Sequence, residues 1–327
     1  MKTISIFFFL GITTTLMSQT LSLEEFSEYP QAQISNDHVT MKLMLPDFEK
    51  GSYRATRFDW SGIIASLRYN GHEYVEYWKS THDPLVHEDL SGPVESSNMP
   101  GLGFDEAKAG GKFIRLGVGT LERPDDKPFE TFKTYKILDH GEWEVRKGDG
   151  WISFEQSLLS DIGYGYVYTK KIELKPDEPG FKIIHTLENK GDKTIETDQY
   201  NHNFFIIDGA GSGPSIEVEF PYAISTENDL SGKMQIDGSM LKFIRDFKKG
   251  ESIWMELKGY SEDLDDHFVT VRNVKSGAGF SFGIDKPLSK MVFWACHTTY
   301  CPENFILLEV APGATETWTS DYTLFTE

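Results

Sequence analysis

Between Val39 and Phe325 the chain is a succession of short segments in which apolar and polar residues alternate, most of them closed by Gly, Pro, Asn or Asp. A period of two sends successive side chains to opposite faces, as in a half-buried strand; an amphipathic helix needs apolar residues three and four apart. The pattern predicts strands over residues 39–45, 63–69, 73–77, 113–121, 132–138, 151–159, 164–174, 181–189, 216–219, 241–247, 252–257, 267–273, 279–284, 290–296, 304–310 and 316–325. Asn70-Gly71 reads as a hairpin turn, and Ala311-Pro-Gly as another connection. No βαβ alternation, internal repeat or low-complexity linker interrupts the series. The expectation is an all-β chain, a large antiparallel β-sandwich, with residues 19–327 as a single domain.

The amino terminus is different. Lys2, an apolar run from Ile4 to Leu16 and then Met17-Ser18-Gln19 read as a secretory signal peptide over residues 1–18, too short to span a bilayer. The mature protein is therefore expected to be exported, to a periplasm, with no membrane span. Ser22-Leu-Glu-Glu fits a capping box and predicts one short helix before the first strand. A net charge of -19 argues against a nucleic-acid partner, because phosphate backbones are bound by clustered Lys and Arg. In an exported chain Cys296 and Cys301 can form a disulfide if the residues between them make a hairpin loop; their spacing suits neither a zinc site nor a redox pair.

The most chemically suggestive run is Tyr200-Asn-His-Asn-Phe-Phe-Ile-Ile-Asp-Gly, which puts a histidine between two amides on a strand-forming stretch. An imidazole exchanges protons near neutral pH, and Asn201 and Asn203 are candidates to orient it or to bind a polyol. Together with Thr186-Leu-Glu-Asn-Lys-Gly upstream, the run resembles the strands around the catalytic histidine of the aldose 1-epimerase (galactose mutarotase) superfamily. The resemblance implies the galactose mutarotase-like sandwich, a small-molecule sugar or oligosaccharide as ligand, and no cofactor or metal. It further implies anomer interconversion, in which a carboxylate and an imidazole on opposite sides of a bound sugar exchange protons with the anomeric hydroxyl and the ring oxygen. His202 is the implied acid. The implied base is Glu303, next to Pro302 and ten residues before the Gly313 turn; Glu309 reads as a solvated strand residue.

Arg57, in Tyr53-Arg-Ala-Thr-Arg-Phe-Asp-Trp, is a candidate for sugar hydroxyls or a carboxylate because its planar fork donates two parallel hydrogen bonds. Residues 81–111 read as a long polar loop forming one wall of a cleft, with Asp105 a candidate substrate ligand. Gly101-Leu-Gly-Phe-Asp-Glu within it resembles the superfamily segment that carries a second histidine, but Pro100 and Gly101 stand where that histidine would be. Tyr166, with Tyr164, Trp60, Trp78 and Trp294, is a candidate for stacking on a sugar face. Two other classes remain open at this point: a polysaccharide lyase or hydrolase on the same sandwich, and a non-catalytic carbohydrate-binding protein.

Overall fold

Most of the alternating segments form strands in the computed structural model, although residues 74–77 and 132–136 of two expected strands carry none, and every strand pairing among the described residues is antiparallel. The structure describes residues 26–97 and 100–327, so the segment expected to be a signal peptide and the helix expected at Ser22 lie outside the described residues. Strands Ile63–Tyr69, Trp151–Leu159, Ile216–Glu219, Ser252–Leu257 and Lys290–Cys296 have the boundaries expected from alternation. Two sheets dominate. One has ten strands; the other has five, in the spatial order Ser252–Leu257, Lys290–Cys296, Tyr300–Val310, Ile195–Phe204, Gly92–Ser97.

The inner faces of the two sheets pack on each other. Ile195, Ile306, Leu308 and Val310 of the smaller sheet meet Leu187, Tyr168 and Trp318 of the larger one, all buried. Polar side chains also cross this interface. Asn203 Oδ1 accepts from the Tyr322 hydroxyl at 2.8 Å, and Asn201 Oδ1 accepts from the Ser320 hydroxyl at 3.2 Å.

Three local expectations are corrected. The 81–111 stretch is not one loop: Gly92–Ser97 is a strand of the five-stranded sheet with every residue buried. Its polar composition hid it, because its inward carboxylate, Glu95, is neutralised in place. Lys170 makes an ion pair with Glu95, and His185 Nε2 lies 3.2 Å and Asn201 Nδ2 3.0 Å from Glu95 Oε1. Lys170 also donates to the Ser61 carbonyl at 2.7 Å and lies 3.8 Å from Asp59. These partners hold Glu95 down at about 2 against the cost of burial, which lifts Asp59 to about 6.

Second, the strand expected over 113–121 breaks into Lys112–Arg115 and Gly119–Glu122. Between them Gly117 takes φ 73°, and a β-carbon there would sit 2.6 Å from the Asp59 side chain, so the close approach needs glycine. Third, Cys296 and Cys301 are free, buried thiols. Cys301 faces Trp294 across the hairpin, not Cys296. The cysteines are diagonal neighbours, a separation of about 7–8 Å, beyond the usual reach of a disulfide.

Candidate active site

Strand register makes the site. Tyr200 pairs with Phe305 and Phe205 with Tyr300, and the same register carried between them sets His202 opposite Glu303. Val292 and Val94 continue this row on either side. Alternation sends His202 and Glu303 to the face of the five-stranded sheet away from the larger sheet, with Tyr200, Phe204, Phe305 and Trp294 beside them. His202 Nε2 lies 3.3 Å from Glu303 Oε1, and both residues are 4% exposed. The imidazole is stacked on the Phe204 ring at 3.9 Å and meets the edges of Phe58 and Trp294 at 5.6 and 5.4 Å, which fixes its plane.

Segments before and after the strand Gly92–Ser97 roof this face. The segment carrying Arg57 is pinned to the sheet: Ser96 Oγ donates to the Arg57 carbonyl at 3.1 Å, Arg115 Nη2 donates to the same carbonyl at 2.6 Å, and the Asp59 amide donates to the Glu95 carbonyl at 2.9 Å. The result is a cavity of about 580 Å3 into which Arg57, Glu88, Asp198, His202, Lys290 and Glu303 all project, with an aromatic lining that includes Phe132, Tyr200, Trp254, Trp294 and Phe305. Arg57 Nη1 is 3.9 Å from Glu88, which is also 3.2 Å from Lys79 and 3.5 Å from His87.

Burial sets the protonation of the central pair. Desolvation pushes the Glu303 carboxyl up to about 8 even though the Arg57 and Lys290 charges pull it back. Desolvation, reinforced by the Arg57 charge, holds His202 well below the usual imidazole value. At neutral pH the contact is therefore a protonated carboxyl beside a neutral imidazole, not an ion pair. Arg57 remains charged: burial pulls its guanidinium down, but the neighbouring Tyr200 hydroxyl, with Glu303, more than offsets this and the value lies above the ordinary one.

The structure brings His202, Glu303 and Arg57 into one cavity. Of the other candidates Trp294 also lines it, whereas Asn201, Asn203, Asp105, Tyr164, Tyr166, Trp60 and Trp78 do not. Asn201 and Asn203 flank His202 in sequence and so point to the opposite face; Asn203 Nδ2 donates to the Pro302 carbonyl at 2.6 Å, and Asn201 supports Glu95. Tyr166 is buried in the sandwich with its hydroxyl on Gln156 at 2.7 Å. Asp105 is an exposed turn residue away from the cavity lining. Trp60 is core, whereas Trp294 lines the cavity and Glu309 is exposed. Sequence reasoning missed Lys290, Trp254 and Phe305, which are outward positions of otherwise inward-apolar strands.

A galactose mutarotase-like protein from Lactobacillus casei superposes over 90% of this chain and 100% of its own with a TM-score of 0.56 at 13% identity. A galactose mutarotase-like protein from Clostridium acetobutylicum gives 0.56 over 91% and 95% at 11% identity. The GalM/aldose epimerase homologue from C. elegans gives 0.54 over 90% and 98% at 12% identity. The fold is that of galactose mutarotase-like proteins. No protein-family model and no curated protein sequence matches the chain, so the likeness is one of three-dimensional structure.

Proposed function

We propose that this galactose mutarotase-like protein is an exported aldose 1-epimerase-type enzyme that interconverts sugar anomers, with His202 and Glu303 as its proton-transfer pair. The observation that carries this reading is the cross-strand contact of an imidazole and a carboxyl, 3.3 Å apart and almost wholly buried, at the base of a cavity of ligand size. Mutarotation needs only proton transfers, so no group beyond these two has to change chemically.

The protonation states favour one order of events. Neutral His202 takes the proton of the anomeric hydroxyl while Glu303 gives its own to the ring oxygen. The bond between the anomeric carbon and the ring oxygen breaks, the carbonyl forms, and the pair is left as imidazolium and carboxylate. Rotation of the open-chain aldehyde and closure on its other face return both protons. This reverses the starting roles expected from sequence, and the reaction runs through both assignments in each full cycle. Groups side by side on adjacent strands suit it as well as groups on opposite sides of the sugar, because the two oxygens they serve share one carbon. Arg57 stabilises the Glu303 carboxylate that forms and presents donors to sugar hydroxyls.

Polarimetry on freshly dissolved glucose, galactose and uronic acids tests the proposal. Catalytic amounts of protein are expected to hasten the approach to equilibrium of at least one of them. Rates equal to buffer alone for all, or formation of unsaturated products from an anionic polysaccharide, would replace it with a binding or lyase role. Export is tested separately by the amino-terminal sequence of the protein recovered from the cell envelope, expected to begin at Gln19.

A further inference from the structure

The cavity does not end at the proton-transfer pair. From His202 the aromatic surface passes to Trp294, whose ring is 5.4 Å away, and then to Trp254, its direct cross-strand neighbour on the edge strand Ser252–Leu257. Trp254 lines the same cavity and is 50% exposed. It occupies an outward position of its strand between Ser252 and Glu256, while Ile253 and Met255 supply the strand's buried face. Half of this indole therefore stays outside the packed core. The second unburied ring is Phe132, contributed by the covering segment and 69% exposed, with the Arg57 guanidinium 5.5 Å from its centroid. Large exposed aromatics gathered at one cavity are the informative exception to ordinary surface composition.

We infer that Trp254 is the floor of a second sugar subsite, so that the preferred substrate is the reducing end of a disaccharide or longer oligosaccharide rather than a free monosaccharide. The inference rests on the proposed reading of the His202–Glu303 pair. The reducing unit places its anomeric carbon at the pair, beside Trp294. The next unit, joined through the hydroxyl farthest from that carbon, lies one strand spacing of about 4.8 Å further toward the sheet edge, over the Trp254 ring. A pyranose presents a face of C–H groups, which packs on an aromatic plane, while its hydroxyls remain in water at the open side. A cavity of about 580 Å3 fits this occupancy: it is of the size that takes a drug-sized ligand, and one pyranose ring is a fraction of such a ligand.

The test compares anomer exchange, measured by magnetisation transfer between anomeric protons, for glucose and for cellobiose, maltose and lactose, in the wild type, Trp254→Ala and Trp254→Phe. At least one disaccharide is expected to have a kcat/KM above that of glucose by roughly ten-fold, equivalent to about 1.4 kcal/mol, the upper end of one ring-stacking contact. Trp254→Ala is expected to bring that ratio close to one through KM, and Trp254→Phe to restore most of it. Equal efficiencies in the wild type, or a ratio untouched by Trp254→Ala, overturn the subsite and leave the epimerase reading standing. If no sugar is turned over, fluorescence titration separates the two ideas. Saturable quenching by a disaccharide that Trp254→Ala abolishes supports the subsite without the activity, and the absence of both quenching and turnover overturns both.

Discussion

Replacing Glu303 by Gln should make the protein more stable in alkaline solution, and the size of the gain follows from the burial of one carboxyl. Its value rises from 4.5 to about 8 on folding, a difference of roughly 3.5 units or on the order of 5 kcal/mol. The raised value means that the folded state holds the proton more tightly than the unfolded chain. Below about pH 4.5 both states are protonated and nothing is lost. As pH rises toward 8 the unfolded chain ionises, the folded one does not, and stability falls by the full amount. A glutamine in this place cannot ionise, keeps the side-chain size and can still hydrogen-bond the imidazole. His202 works in the opposite sense: its lowered value costs stability as pH falls below the ordinary 6.5, and it does so in both proteins. Urea unfolding of wild type and Glu303→Gln at pH 5 and pH 9 isolates the carboxyl. The stability difference between them should shift by about 4 kcal/mol in favour of the variant over that interval. Parallel pH dependences would refute the claim that Glu303 is buried as the neutral acid.

The interior cluster should answer to charge removal in the way of a buried network. Lys170→Met leaves Glu95 without its main counter-charge and should cost about 3–5 kcal/mol in urea unfolding, while adding Glu95→Gln should recover a large part of it. Asn203→Ala should cost about 1–3 kcal/mol, since it strands the Pro302 carbonyl and the Tyr322 hydroxyl at 0% exposure of the asparagine. Thiol titration should find both cysteines only after denaturation, with no change on prior reduction.

Strand positions were readable because alternation is a local consequence of the pleat. Ser252–Leu257 and Lys290–Cys296 show it with apolar side chains on the inner face and mixed ones outside. The strand Gly92–Ser97 was not, because Glu95, Ser96 and Ser97 are buried by partners up to 106 positions away in the chain, and no local pattern encodes Lys170, His185 or Asn201. For the site, the resemblance around His202 and Glu303 pointed to two residues that register sets face to face. The same alternation, applied to Tyr200-Asn-His-Asn, excludes both asparagines from the histidine's face. Tyr166 was misplaced for a similar reason: it is an inward position of Gly165–Leu174, and its polar tip is satisfied by Gln156. Lys290 and Trp254 could have been found as outward residues on strands whose register to Glu303 was not yet known.

The measurement that bears most directly on the account is the rate of anomer exchange on one sugar that the wild type turns over, followed in His202→Ala, Glu303→Gln and the double variant at one pH. Acting as a unit, the pair should lose roughly 10²–10⁴-fold with either change, and the double variant should be little worse than the poorer single one. Variants that fold normally and retain wild-type exchange would contradict it.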